Sequence, residues 1–446
     1  MTQPAPPSHL ATSSTAQVHN NSRPATAMPP LDAWMHRQQS NGSNMTAALL
    51  ARFEGPPPTL SALRSLAEYR LAPYQRLRQM PSAADPANDS WPLWSTGPHF
   101  EAAHHIVESA GATTTELEVD IAALFTVPLD PRRPPWQLHL IPTTGGFVLL
   151  FRAHHALLDG RSIATLLRAL FDETAALRPP RVGGVATADA PSRARQLVWT
   201  LGDLLPKGRP LSFHGPVDPH RVLSFRQVAR KELDAARASS RSAASGERAS
   251  TNAVFLAATA GALRTLGVTG RPLPTLPGIC ALVPVDVRTD EESQLLGNHY
   301  ATVRVPLPQQ RDARERLAAV DSFIRRAAIG ARARAQAAVV SSRPRKITPL
   351  SNAAGRYVDS PRYFSLLCSS VSTHAGELTL GSARLTAMAA VPPLGPGHPL
   401  AVTAVHHGST SVVTAITDHN HRDLAQPLAE RIHDEIRILA KSTTRS

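Results

Sequence analysis

The chain has 446 residues, 42 % of them hydrophobic, and a formal net charge of +13. That is enough apolar material to bury two or three domain-sized units, or two lobes with a shared core. Two cysteines, Cys280 and Cys368, make neither a disulfide framework nor a metal spacing, so a cytoplasmic protein is expected. No secretory signal pattern opens the chain, and no apolar run reaches the roughly 18–20 residues of a membrane span.

The basic balance suits nucleic acid, but the arginines are spread along the chain and no nucleic-acid fold motif is present. No nucleic-acid partner is therefore expected. Part of the charge reflects a composition rich in Arg, Ala and Pro. The rest reads as a preference for anions: the phosphates of CoA, an acidic acyl carrier protein, or the surface of a membrane or lipid droplet.

In chain order, residues 1–28 are rich in Pro, Ser, Thr and Asn and read as a disordered tail. Ordered sequence begins at Pro30-Leu31-Asp32-Ala33-Trp34. The pattern then predicts a strand over Met45–Phe53 and a helix over Leu60–Leu71 with Thr59 as N-cap. A strand over Phe100–Glu108 and a helix over Thr113–Phe125 follow. Gln137–Ile141 and Phe147–Ala153 read as a hairpin, and a helix runs from Ser162 to Leu177. Residues 29–178 form a first lobe and 216–446 a second, with 179–215 as the crossover between them. In the second lobe, strands are predicted over Arg221–Lys231, Gly278–Val287 and Tyr300–Val305, and helices over Asn252–Leu266 and, as one long element, Arg311–Val340. Further strands span Tyr363–Val371, Leu378–Val391, Leu400–His406 and Ser411–Thr417. A last helix places Leu424, Leu428, Ile432, Ile436 and Leu439 on one face.

The chemistry concentrates in His154-His155-Ala156-Leu157-Leu158-Asp159-Gly160, between a buried strand and a helix. Acyl transfer to a hydroxyl needs a base with a pKa near neutrality, and His155 supplies one on a rigidly aimed loop. His154 orients the loop, Asp159 holds it, and Gly160 lets the backbone turn into the helix. Arg288, in Val283-Pro284-Val285-Asp286-Val287-Arg288, is the expected partner of Asp159. The pairs His104-His105, placed inside a strand, and His406-His407 lack the Asp-Gly and are assigned no chemistry. No third ligand makes a metal site, and no Gly-x-Ser-x-Gly elbow makes a serine hydrolase.

These residues resemble the bacterial wax ester synthase/diacylglycerol acyltransferase family, within the group of chloramphenicol acetyltransferase and condensation domains. The resemblance rests on Pro30–Trp34, on Pro128–Ile141 with Trp136, on the histidine motif, on Phe213–Arg221, on Thr251–Ala258, on Val283–Arg288 and on Gly297-Asn298. It implies two α/β lobes, each a mixed sheet with helices, around a tunnel centred on the histidine. Departures are Pro135 before Trp136, Ala253 after Asn252, and Ser369-Ser370-Val371-Ser372-Thr373-His374 in place of a Ser-Asn-Val-Pro-Gly-Pro stretch. They put wax ester or triacylglycerol synthesis in doubt.

The function implied is an acyl-CoA-dependent O-acyltransferase, with acyl-CoA as substrate, an alcohol as acceptor and no bound cofactor. The oxyanion of its tetrahedral intermediate needs donors: backbone amides near Gly160, or the side chains of Asn252 and Ser369. Trp136, Asn252 and Ser369 are the candidate substrate-binding residues; Trp136 and Asn252 also carry plain readings, as core and as helix N-cap. Two alternatives stay open: a carrier-protein-dependent condensation enzyme, and a degenerate non-catalytic relative.

Overall fold

A computed structural model describes residues 25–40, 43–82, 91–97, 99–111, 113, 116–171, 199, 202, 205, 208–242, 246–270, 278–373 and 376–441. Most of the predicted tail and of the crossover over 179–215 lies outside the described residues.

The first half runs β1 (Thr26–Ala27), α1 (Pro30–Ser40), β2 (Thr46–Glu54), α2 (Leu60–Leu71), β3 (Gln79–Ser82), β4 (Leu93–Thr96), α3 (Ala102–His105), β5 (Ile106–Glu108), α4 (Leu117–Leu124), β6 (Trp136–Thr143), β7 (Gly146–His154) and α5 (Gly160–Phe171). The second runs β8 (Arg221–Ala229), α6 (Arg230–Ala238), α7 (Thr251–Thr265), β9 (Cys280–Asp286), β10 (Tyr300–Pro306), α8 (Ala313–Arg326), α9 (Ile329–Ser341), α10 (Pro349–Val358), β11 (Leu366–Ser372), β12 (Thr379–Leu380), β13 (Ala383–Val391), β14 (Leu400–His407), β15 (Thr410–Asp418) and α11 (Arg422–Lys441).

Two six-stranded sheets carry the two lobes, in the orders β12-β13-β2-β7-β6-β5 and β10-β9-β11-β14-β15-β8, beside a small sheet β1-β4-β3. The mixed α/β architecture in two sheet-rich lobes is the one expected. In the first lobe, β6 and β7 form the predicted hairpin, turned at Gly145, whose φ of 79° favours glycine. Every residue of β7 is buried. Phe147, Leu149, Phe151 and Ala153 face the core beneath α5, where Ile163, Leu166, Leu167 and Leu170 line up at helical spacing. Val148 and Leu150 face the other way and share a cluster with Leu223, Ala401, Val412 and Ile416 of the second sheet. The two sheets thus pack against each other and leave the end of β7 at their seam. In the second lobe, α7 and α11 cover the far face, with Leu428, Ile432, Ile436 and Leu439 buried as the spacing predicted.

Several boundaries differ from expectation. The predicted strand over Phe100–Glu108 is the helical turn α3 followed by a three-residue strand. The single helix over Arg311–Val340 is two helices, broken at Ala328, which takes a left-handed φ of 44°. The predicted strand over Leu378–Val391 is the hairpin β12–β13, and β13 pairs antiparallel with β2. A piece of the C-terminal half therefore completes the N-terminal sheet. The strand predicted over Arg221–Lys231 ends at Ala229, with α6 beginning at Arg230, and helices α1, α6 and α10 carried no helical reading in the sequence.

Candidate active site

The loop after β7 is tied down at almost every residue. His154 N donates to Pro135 O at 2.9 Å and His155 N to Met45 O at 2.8 Å, which extends the sheet hydrogen bonding past the end of the strand. Arg76 binds two carbonyls of the loop, Leu157 O through Nε at 2.7 Å and Ala156 O through Nη2 at 2.9 Å. Asn298 Nδ2 binds His155 O at 2.7 Å and Ala156 O at 3.1 Å. Behind these two, the buried Asp32 accepts from Arg76 Nη2 at 2.5 Å, Asn298 Nδ2 at 2.9 Å and Trp94 Nε1 at 3.2 Å.

Asp159 and Arg288 form a buried ion pair, with Arg288 Nη2 donating to the two carboxylate oxygens at 3.1 and 2.9 Å. Asp159 also accepts from Ser162 N at 2.7 Å and His299 N at 3.1 Å. Burial alone would raise its carboxyl pKa, but Arg288 and the two amides outweigh burial and hold it below the usual range. Arg288 reaches further, to Leu295 O, Gly297 O and Asp286, so it clamps the segment after β9 onto the start of α5. The Ser162 hydroxyl completes the clasp, donating to Gly297 O and accepting from Gly297 N, each at 3.0 Å. Gly297 takes φ 117°, a conformation that favours glycine, immediately before Asn298.

His155 itself is half-buried. Its Nδ1 lies 3.2 Å from Asn298 Oδ1, and the Tyr300 ring is 5.9 Å from its own. Burial lowers its pKa below the ordinary 6.5, offset in part by its own backbone carbonyl and then by Asp159, Asn298 and Asp32, so the neutral ring prevails at neutral pH. Burial also raises the Tyr300 phenol, which stays protonated. His154 is buried, accepts from Ala156 N at 3.0 Å through Nδ1, and is held neutral by burial, with its pKa lowered to about 3.

The remaining sequence candidates divide. Ser369 is half-buried on β11, on the strand face of Val371, whose Cγ2 lies 3.9 Å from where a Cβ on Gly160 would stand. It therefore lies on the face turned toward the histidine loop. Trp136 is core. It is 1 % exposed, donates to Leu77 O at 2.9 Å, and stacks on His105 and Phe151 with centroids at 4.1 and 5.3 Å. Its aromatic surface is taken up by these neighbours, which supports the core reading. Asn252 is not the N-cap of α7; Ser250 is, accepting from Ala253 N. Asn252 Oδ1 is buried without a hydrogen bond among the described residues, and makes none of the bonds that hold the His155 loop. Gly160 lies outside the positive-φ set and has room for a Cβ, so the turn into α5 does not demand glycine. The Ser162 amide, one of those near Gly160, is spent on Asp159.

Asn298, Asp32, Arg76 and Tyr300 are the site residues that sequence reasoning did not assign. Asp32 and Asn298 stood inside segments already singled out, Pro30–Trp34 and Gly297-Asn298. Arg76, one arginine among many, carried no signal.

Comparison with known proteins agrees with this geometry. Residues 28–288 match the wax ester synthase/diacylglycerol acyltransferase catalytic domain, and residues 296–440 match the C-terminal domain of the same proteins. A putative diacylglycerol O-acyltransferase of Mycobacterium bovis is 28 % identical over 367 residues, 73 % of this chain and 72 % of that protein. Among solved structures, the wax ester synthase/diacylglycerol acyltransferase of Marinobacter aquaeolei superposes with a TM-score of 0.65 at 17 % identity, covering 94 % of this chain and all of that one. The starter condensation domain of rhizomide synthetase gives a TM-score of 0.60 at 14 % identity, covering 94 % of each chain. At these identities the structural likeness is one of fold. The catalytic match spans more than half the chain, and so the chain belongs to the wax ester synthase/diacylglycerol acyltransferase family, as an acyltransferase of condensation-domain-like fold.

Proposed function

We propose that the protein transfers an acyl group from acyl-CoA to an alcohol, with His155 as the general base. The observation that carries this reading is the neutral, half-buried imidazole of His155 at the seam of the two lobes, on a loop whose carbonyls are held from both. In the transfer, Nε2 takes the hydroxyl proton as the alcohol oxygen attacks the thioester carbonyl. The tetrahedral intermediate collapses with loss of the CoA thiolate, which receives the proton back. Among the oxyanion donors foreseen, Ser369 keeps a supported place, on the strand face turned to the loop. No covalent acyl-enzyme is needed. Acyl-CoA as donor is supported by the rhizomide synthetase domain, a fold relative solved in complex with C8-CoA.

Transfer from an acyl carrier thioester is the second reading, favoured by the condensation domains among the fold relatives. Contact with an anionic lipid surface finds support in the exposed Arg343, Arg345 and Lys346 beside Leu350, which is 80 % exposed at the start of α10.

Incubation with a panel of acyl-CoAs and alcohols, followed by mass spectrometry, tests the proposal. Esters from the wild type and none from a folded His155→Ala variant are expected. Undiminished ester from that variant overturns the general base. Ester from carrier thioesters alone replaces the donor.

A further inference from the structure

We propose that Asn298 is a positioning residue that holds His155 in the tautomer with hydrogen on Nδ1, so that the Nε2 lone pair is the proton acceptor. The inference rests on the general-base reading above. Asn298 Nδ2 has three oxygens around it: His155 O at 2.7 Å, Ala156 O at 3.1 Å and Asp32 Oδ1 at 2.9 Å. All three are acceptors. Exchanging the two ends of the amide would set its carbonyl oxygen against all of them, so the orientation is fixed. That orientation presents Oδ1 to His155 Nδ1 at 3.2 Å. Two acceptors cannot share a hydrogen bond, so Nδ1 bears the hydrogen. The ring's own carbonyl is a second acceptor beside Nδ1; it also accepts from Asn298 Nδ2, so its lone pairs serve two donors and Asn298 Oδ1 adds to the hold on the same tautomer.

The amide cannot easily turn. Asp32 is pinned by Arg76 and by Trp94 Nε1, and the Arg76 guanidinium sits 4.8 Å from the Trp94 ring centre. On the other side, Gly297 is clasped by Ser162 and Arg288. Asn298 therefore joins α1, the β7–α5 loop and the segment between β9 and β10. The neighbouring ring takes the other tautomer, on a backbone partner of its own. His154 Nδ1 accepts from Ala156 N, which puts its hydrogen on Nε2. Adjacent histidines are thus held in opposite tautomers by different partners.

Heteronuclear NMR of the full chain with heavy nitrogen in its histidines tests the assignment, the His155 signals being identified by their loss in His155→Gln. The wild type should show a protonated Nδ1 and a bare Nε2. In Asn298→Ala the ring should shift toward hydrogen on Nε2. With palmitoyl-CoA and hexadecanol, kcat should fall about 10- to 100-fold while KM stays within about threefold. The acid limb of the pH profile should also move, because an amide partner of the ring is gone while Asp159, Asp32, Arg288, His154, His299 and Tyr300 still surround it. A wild-type ring with hydrogen on Nε2, or an unchanged tautomer and kcat in Asn298→Ala, overturns the proposal. The wild-type spectrum decides even where the variant fails to fold. Turnover retained in His155→Ala would instead break the general-base reading, leaving the tautomer to be read on its own.

Discussion

His104-His105 and His154-His155 look alike in the sequence and stand in opposite situations in the fold. His105 is 5 % exposed, lies flat on Trp136 at 4.1 Å, and has its Nδ1 2.8 Å from Trp136 O. His104 sits at the surface in a pair with Glu101. Neither ring meets the other lobe. His155, by contrast, is half-buried against Asn298 and Tyr300 of the second half of the chain. A third pair, His406-His407, is spent on serine and threonine hydroxyls: Ser370 and Ser411 for His406, Thr373 for His407. What separates the pairs is the state of the ring after folding. A histidine buried under a stacked ring or saturated with hydrogen bonds has no accessible lone pair to offer a substrate. One braced from behind, with its other edge at a seam, has one.

The sharpest way to break this contrast is to remove both rings separately. His155→Ala should cost on the order of 10²–10⁴ or more in kcat with little change in unfolding midpoint, because the ring is half-buried. His105→Ala should spare kcat and lower stability by about 1–3 kcal/mol in urea unfolding, through the lost stack and hydrogen bond. Equal kinetic losses in the two would erase the distinction.

The brace is tested next. Arg288→Ala strands a buried carboxylate, so stability should drop by about 3–5 kcal/mol in urea unfolding, and kcat should drop with it as the loop loosens. A loss below about 1 kcal/mol would mean that the pair does not hold the loop.

pH gives a smaller effect with a definite sign. The His155 pKa is depressed, so kcat/KM should hold down to below pH ~6.5 and fall only under it. Stability should fall over the same range. His154, at about 3, and His139 and His406, at about 4, are neutral in the fold and charge on unfolding. The unfolded chain binds more protons below pH ~6.5, so the folded state weakens as pH falls from there toward 4. An acid limb above pH ~6.5 would contradict the burial of the ring. Smallest of all, His104→Ala should change stability by less than about 0.5 kcal/mol, since it removes only an exposed pair.

Local patterns were legible where the fold obeyed them. The strand–loop–helix frame of the motif and the Thr59 cap of α2, which accepts from Ala62 N, stand where spacing and residue type put them. The break at Ala328 did not show, because alanine favours helix and the nearby Gly330 falls inside the second helix, not at the left-handed residue. The turn α3 is only four residues long and hid inside a segment that reads as one strand. At the site, Asp159 and Arg288 could be paired by charge alone, as the two ends of one plausible bond. Asn298 and Asp32 lie 266 positions apart, and only the closed fold shows that they touch. Trp136 stayed open between two readings for the same reason. An aromatic in a specific motif can serve a substrate or a core, and only its packing partners tell which.

The strand β13 bears on how the chain acquires its shape during synthesis. Along β2, Arg384–Val391 bond one edge while β7 bonds the other, and β2 is buried over most of its length. Until residue 391 has left the ribosome and folded back, that edge stays open, a long apolar template for unwanted pairing. The N-terminal half by itself thus lacks the strand that completes its sheet. A fragment ending near residue 288, where the catalytic match stops, would carry the histidine motif and Arg288 yet lack both Asn298 and the strand that closes its sheet.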